Sequence, residues 1–141
     1  MLDTDTMVAA LRSDAGASRR LLRWVFERRR GLTVIVSVPL LIEYEAVLTR
    51  PEHLKAAGVS AVDVEALLDA VAAVAEPVRL AYLWRPTLPD MDDDMVLEAA
   101  VNGRADGIVT FNRRDFGPPA EQFGVLVLSP GDAVRRLERR S

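Results

Sequence analysis

Three uninterrupted apolar runs of strand length, at residues 33–37, 107–110 and 125–128, constrain this chain more than anything else in it. A strand with one wet face alternates polar and apolar residues, whereas a run without alternation suits a strand buried on both faces, as in a parallel sheet covered by helices. Residues 1–4 and 78–84 are weaker strand candidates. Helical stretches lie between the runs, at 17–30, 39–49, 60–75, 94–104 and 130–139. Their ends are punctuated: Pro39 suits a first helical turn, Pro51 and Pro77 suit exits, and Ser129-Pro130 reads as an N-cap with proline at N1. Strands alternating with helices imply right-handed crossovers. The expected fold class is α/β, a three-layer α/β/α sandwich around a central, mostly parallel sheet of about five strands. One domain spanning residues 1–141 accounts for the whole chain, a length that encloses one core.

Composition narrows the chemistry. With no cysteine and one histidine, His53, disulfides, thiolate zinc sites, cysteine nucleophiles and multi-histidine metal sites are excluded. Carboxylate is what remains. A net charge of -3 argues against holding nucleic acid by bulk attraction, yet arginines cluster at Arg28 to Arg30, at Arg113 and Arg114, and at Arg135, Arg136, Arg139 and Arg140. Basic patches around an acidic centre are compatible with that distribution, as are solvated helix faces. No apolar run approaches a bilayer span, so no membrane partner is expected. Acid at Asp3 and Asp5 stands where an export signal would carry positive charge, which leaves the cytoplasm as the expected location.

The acids fall in four groups. Asp3 and Asp5 follow the first strand candidate, and Glu43 and Glu45 lie in the helix after the second. Asp90, Asp92, Asp93 and Asp94 precede another helix, while Asn112 and Asp115 follow the strand that ends at Thr110. An open parallel sheet gathers its ligands beyond the carboxyl ends of its strands, where all four groups would meet. Carboxylates held so close repel one another and either take up protons or bind a cation. An all-oxygen donor set selects Mg²⁺ or Mn²⁺, and such an ion activates water and neutralises phosphate, which makes phosphodiester hydrolysis the natural chemistry.

Helical spacing separates some of these residues. Asp93 shares a face with Val96, Leu97 and Ala100 and so points inward, while Asp94 lies about 100° round the helix and suits solvent or the helix dipole. The same test does not separate Glu43, which shares a face with Leu40 and Val47, from Glu45, which shares one with Leu41 and Leu48. Asp90 follows Pro89 in a loop, as ligand or as turn residue. The segment from Thr110 to Phe116 has an Asx turn as its plainer reading, and Trp24, Trp84, Tyr44 and Tyr82 read as core rather than as base-stacking platforms. His53 reads as a helix-end or surface residue.

Taken together, four stretches resemble the PIN-domain nucleases, most closely the toxin components of toxin–antitoxin pairs. They are Leu2-Asp3-Thr4-Asp5 with Met7 to Leu11, Leu40 to Leu48, Trp84-Arg85-Pro86 with Asp90 to Ala100, and Ile108 to Phe116. The resemblance implies a parallel sheet between helices and Mg²⁺- or Mn²⁺-dependent cleavage of RNA. Carried over by position, Asp3, Glu43, Asp93 and Asp115 are the catalytic, metal-binding acids, with Asp90, Asp94 and Asn112 as further ligand candidates. Thr4, Asp5, Ser37 and Thr110 would orient the carboxylates, and Arg113 and Arg114 would meet substrate. An antitoxin protein and a homodimer are the partners implied. Only two residues precede Asp3, a shorter first strand than the family usually has.

Two other readings compete. Asp3-Thr4-Asp5-Thr6 also resembles the motif of haloacid-dehalogenase-type phosphatases, with Asp3 as nucleophile, Asp5 as acid, and Ser37, Asp93 and Lys55, the only lysine, completing the set. That reading leaves Glu43 and Asp115 without a role. The third is a non-catalytic module of the same fold that binds RNA or protein, in which mutually repelling acids would have nothing to hold.

Overall fold

A computed structural model describes residues 1–13, 16–28, 32–78, 91–114, 116, 120 and 123–140, with the side chains at 91–95, 98 and 140 outside the description. Backbone groups at the amino end open the fold. Val109 donates to the Met1 carbonyl and Asp3 donates to the Val109 carbonyl, both at 2.9 Å, so Met1 to Asp3 run parallel to β3 (Gly107–Val109). The extended segment stops at Asp3 because its side chain caps α1 (Thr4–Arg12), accepting the Thr4 amide at 2.8 Å. Helix α2 (Ala17–Phe26) buries Leu21, Leu22, Trp24 and Val25 and ends short of the expected residue 30, with Arg28 at a φ of 52°.

The second strand, β1 (Ile35–Val36), gives way at once to α3 (Val38–Leu48), capped by the Ser37 hydroxyl and seeded by Pro39. Helix α4 (Pro51–Ala57) stands where an exit was expected. Pro51 occupies the first helical position, where a missing N–H costs nothing, and Gly58 ends the helix at a φ of 68° that a side chain would resist. A reciprocal Ser60–Asp63 capping box starts α5 (Ala61–Val74), which buries Val64, Leu68 and Val71 on one stripe. The chain then enters β2 (Glu76–Pro77), parallel to β1. Glu76 donates to the Val34 carbonyl and Val78 to that of Val36, both at 2.8 Å, and the residue between them, Pro77, has no N–H to offer on the other side, which suits an edge strand.

Helix α6 (Met91–Asn102) starts three residues earlier than expected, so Asp92 to Asp94 stand in its first turn. After β3, β4 (Leu126–Leu128) pairs parallel beside it, and Ser129 opens α7 (Pro130–Arg140) by accepting the Asp132 amide at 3.2 Å. Of the 78–84 strand candidate only Val78 is described.

Every strand pairing among the described residues is parallel, and the fold is α/β, but the single sheet of about five strands is not what the ladders form. They fall into two groups, β2 with β1 and Leu2 with β3 and β4. Asp3 and Ser37 explain the split, because each turns its strand into a helix after two or three extended residues. The Leu2 carbonyl, alternating away from β3, accepts the buried Tyr44 hydroxyl rather than an amide of β1. Helices close the structure: α3 packs on α1, α5 and α6, while α7 packs on α2 and β4. No described helix is long and apolar enough to cross a membrane.

Candidate metal centre

Asp3 is the anchor of the site. The residue is 6% exposed at the carboxyl end of the first strand, a place that demands polar partners for its carboxylate. The Thr4 amide holds Oδ1 at 2.8 Å and the Thr110 hydroxyl holds Oδ2 at 2.7 Å. Thr110 follows β3 directly, so the parallel pairing of the two strands places donor beside acceptor. Burial, and then the Asp3 charge, push the Tyr44 phenol far above its ordinary pKa, which keeps it a donor to Leu2.

Asp5, in the first turn of α1, is engaged by the loop that leaves β3. Its Oδ2 receives the Phe111 amide at 3.1 Å and the Asn112 side-chain amide at 3.0 Å. The Thr110 hydroxyl lies 3.1 Å from the same oxygen, but its one hydrogen serves Asp3 at the shorter distance. That hydroxyl in turn accepts the Asn112 amide at 3.0 Å. Thr6, fully buried, is 3.0 Å from the Val109 carbonyl and 3.2 Å from Asp5 Oδ1, and so ties the first turn of α1 to β3. Asp5 thus works as a brace between α1 and the loop after β3.

The remaining acids divide by what surrounds them. Glu43 is half-buried and Glu45 exposed, a distinction the sequence left open. Glu43 precedes Tyr44, whose hydroxyl reaches Leu2, so the middle of α3 abuts the strand end that carries Asp3. In α6, Val96, Leu97 and Ala100 are buried, and the helical register sets position 93 on the face they define. Helix α6 packs on α3. The side chains of Asp93 and Asp94, and all of Asp90 and Asp115, lie outside the described residues. Among the described residues no group of three or more acids, histidines or cysteines is arranged to hold a metal.

The expected orienting residues act in different ways. Thr110 bonds the Asp3 carboxylate through its hydroxyl, while Thr4 contributes its backbone amide. Ser37 does neither, because its hydroxyl accepts the Leu40 amide at 3.2 Å as the cap of α3. Arg114 is exposed, and Arg113 pairs with Asp132. His53 lies on α4 beside Glu52 and 3.5 Å from Arg12. Thr6 and Tyr44 were missed as structural supports of the centre. Only the Asp-Thr-Asp-Thr run hinted at Thr6, and nothing in the sequence marked the Tyr44 hydroxyl.

A hard carboxylate buried at a strand end and oriented by N–H and O–H groups suits a divalent cation. Asp3 with Glu43, joined by Asp93 and Asp115, would hold such an ion, which supplies charge neutralisation and a more acidic water. Fold and site together define an α/β protein with parallel strands and two carboxylates, Asp3 and Asp5, gathered on the Thr110 hydroxyl where the first strand meets its helix. A family model described as PIN domain matches residues 1–114, and the chain belongs to that family. PIN domains are typically nucleases that depend on divalent metal ions. Neither the comparison with curated proteins nor that with solved structures found a match.

Proposed function

We propose that this protein is an endoribonuclease that hydrolyses RNA phosphodiester bonds with Mg²⁺ or Mn²⁺ held by Asp3, Glu43, Asp93 and Asp115, and that it acts as the toxin of a toxin–antitoxin pair. The observation that carries the reading is the buried Asp3 carboxylate, oriented by the Thr4 amide and the Thr110 hydroxyl at the end of a parallel strand. A carboxylate is costly to bury, and coordination of a cation is what makes such a position serviceable. The water that attacks phosphorus would be deprotonated against the same cation, and the acids fix where it stands.

The phosphatase reading gains nothing from the site. It needs Asp5 as a proton donor to the leaving group, yet that side chain is occupied by Phe111 and Asn112, and Lys55 is exposed on α4. The test is RNA cleavage in Mn²⁺ against cleavage in EDTA, with Asp3→Asn as control. Activity should vanish in EDTA and fall by at least about a hundredfold in the variant, a loss comparable to that of a single strong electrostatic contact in other active sites. Undiminished cleavage by Asp3→Asn would sink the metal centre, and an inactive wild type that still binds RNA would leave the binding module in its place.

A further inference from the structure

Arg113, from the segment after β3, and Arg135, from the helix after β4, converge on one carboxylate. Arg113 follows Asn112, whose amide holds Asp5, so it sits at the lip of the acid centre. Asp132 reaches it from the first turn of α7, fixed there by the Ser129 hydroxyl at 3.2 Å. Its Oδ2 accepts Arg113 Nη1 at 3.4 Å, and its Oδ1 accepts Arg135 Nη2. Two guanidinium groups on one carboxylate leave a net positive charge. With 59% and 65% of their side-chain surface exposed, both arginines keep donors turned to solvent.

Exposed ion pairs add little to stability, so folding does not explain the arrangement. What it does achieve is to hold two planar, charged forks on one carboxylate that offsets their mutual repulsion, a grouping that suits a phosphate. Asp132 and Arg135 also lie beyond the residues 1–114 that the family model matches. We propose that Asp132 is a positioning residue that holds Arg113 and Arg135 as a clamp for a backbone phosphate of the RNA, next to the phosphate the metal would hold. This rests on the ribonuclease reading for its substrate, and its test is binding rather than cleavage.

The sign of one substitution discriminates. An acid that is merely near the RNA repels it, so neutralising Asp132 would tighten binding; an acid that aims two arginines weakens binding when lost. Anisotropy of a labelled single-stranded oligoribonucleotide in EDTA should show Asp132→Asn weakening affinity by about fivefold, the scale of one charged hydrogen bond misplaced. Asp132→Glu should restore most of it. In an Arg113→Ala, Arg135→Ala background the Asp132→Asn change should move affinity less than about twofold, as expected when partners act through one contact. Arg113→Ala should flatten the slope of log affinity against log salt by about 0.7, the share of one single-strand phosphate. Tighter or unchanged binding in Asp132→Asn, or no binding by the wild type, overturns the clamp. Binding that depends on Asp132 but without Mn²⁺-dependent cleavage overturns the nuclease reading alone.

Discussion

Tyr44 and Asp3 show how one side chain can serve both folding and site. The Tyr44 hydroxyl satisfies the carbonyl of Leu2, a buried acceptor on the strand edge away from β3. Removing the hydroxyl leaves the carbonyl in place with no water to replace the donor. Tyr44→Phe should therefore destabilise the protein by about 1–3 kcal/mol, read as a lower urea midpoint at unchanged slope. The ring stays and the volume hardly changes, so cavity formation would contribute little. An unshifted midpoint would mean that Leu2 finds another donor, such as an amide of β1. Which acid faces inward was only partly legible at this scale. Periodicity assigned position 93 an inward face, a reading that falls on a side chain outside the described residues, and it left Glu43 and Glu45 level, since α3 carries apolar residues nearly all round. Burial separates them. Nor could spacing reveal that Asn112 engages Asp5, a contact across 107 positions.

Caps and close approaches decide where elements begin and meet. The helix opened by Ser129 was readable because a hydroxyl cap followed by proline is a local signal, whereas Ser37, read as the end of a strand run, caps α3, and the Ser60 capping box went unread. Helix α1 was missed because Asp3 serves as both strand end and cap, and α4 because a proline suits an exit and an entry equally well. Sheet order was illegible for a different reason: strands of two or three residues carry too few ladder bonds to impose a register. Packing at Gly103 compensates by seating the end of α6 against both β1 and β2. A Cβ there would come within 2.6 Å of Val78 Cγ2 and 2.8 Å of Ile35 Cγ2, methyls on stiff β-branched side chains that cannot swing aside. Gly103→Ala gains about 0.4–1 kcal/mol from the unfolded chain and loses about 1–3 kcal/mol to overpacking. The net should be destabilising, seen as a lower melting temperature, and a higher one would mean that β1 and β2 are free to shift.

For the whole molecule the proposed acid centre would be a liability until it is filled. Carboxylates brought from Asp3, α3 and α6 to one end of the strands, as the proposed metal centre requires, would repel in the native state and lie far apart in the unfolded chain, so a bound cation would relieve a strain in the apo protein. Binding to the folded state alone stabilises by about 2.7 kcal/mol when the ion is at a hundred times its dissociation constant. In a domain of 141 residues, intermediate between the size classes for which the scaling is established, that corresponds to a melting temperature raised by about 8 °C. Asp3→Asn should behave in the opposite way on both counts: as stable as the wild type or more so without metal, because one repelling charge is gone, and much less responsive to Mn²⁺. A Mn²⁺ shift of equal size in Asp3→Asn would mean that the ion binds elsewhere, for instance among the exposed acids. An absent shift in both proteins would overturn the proposed metal centre. Thermal melts of the two proteins, with EDTA and then with Mn²⁺, separate these outcomes.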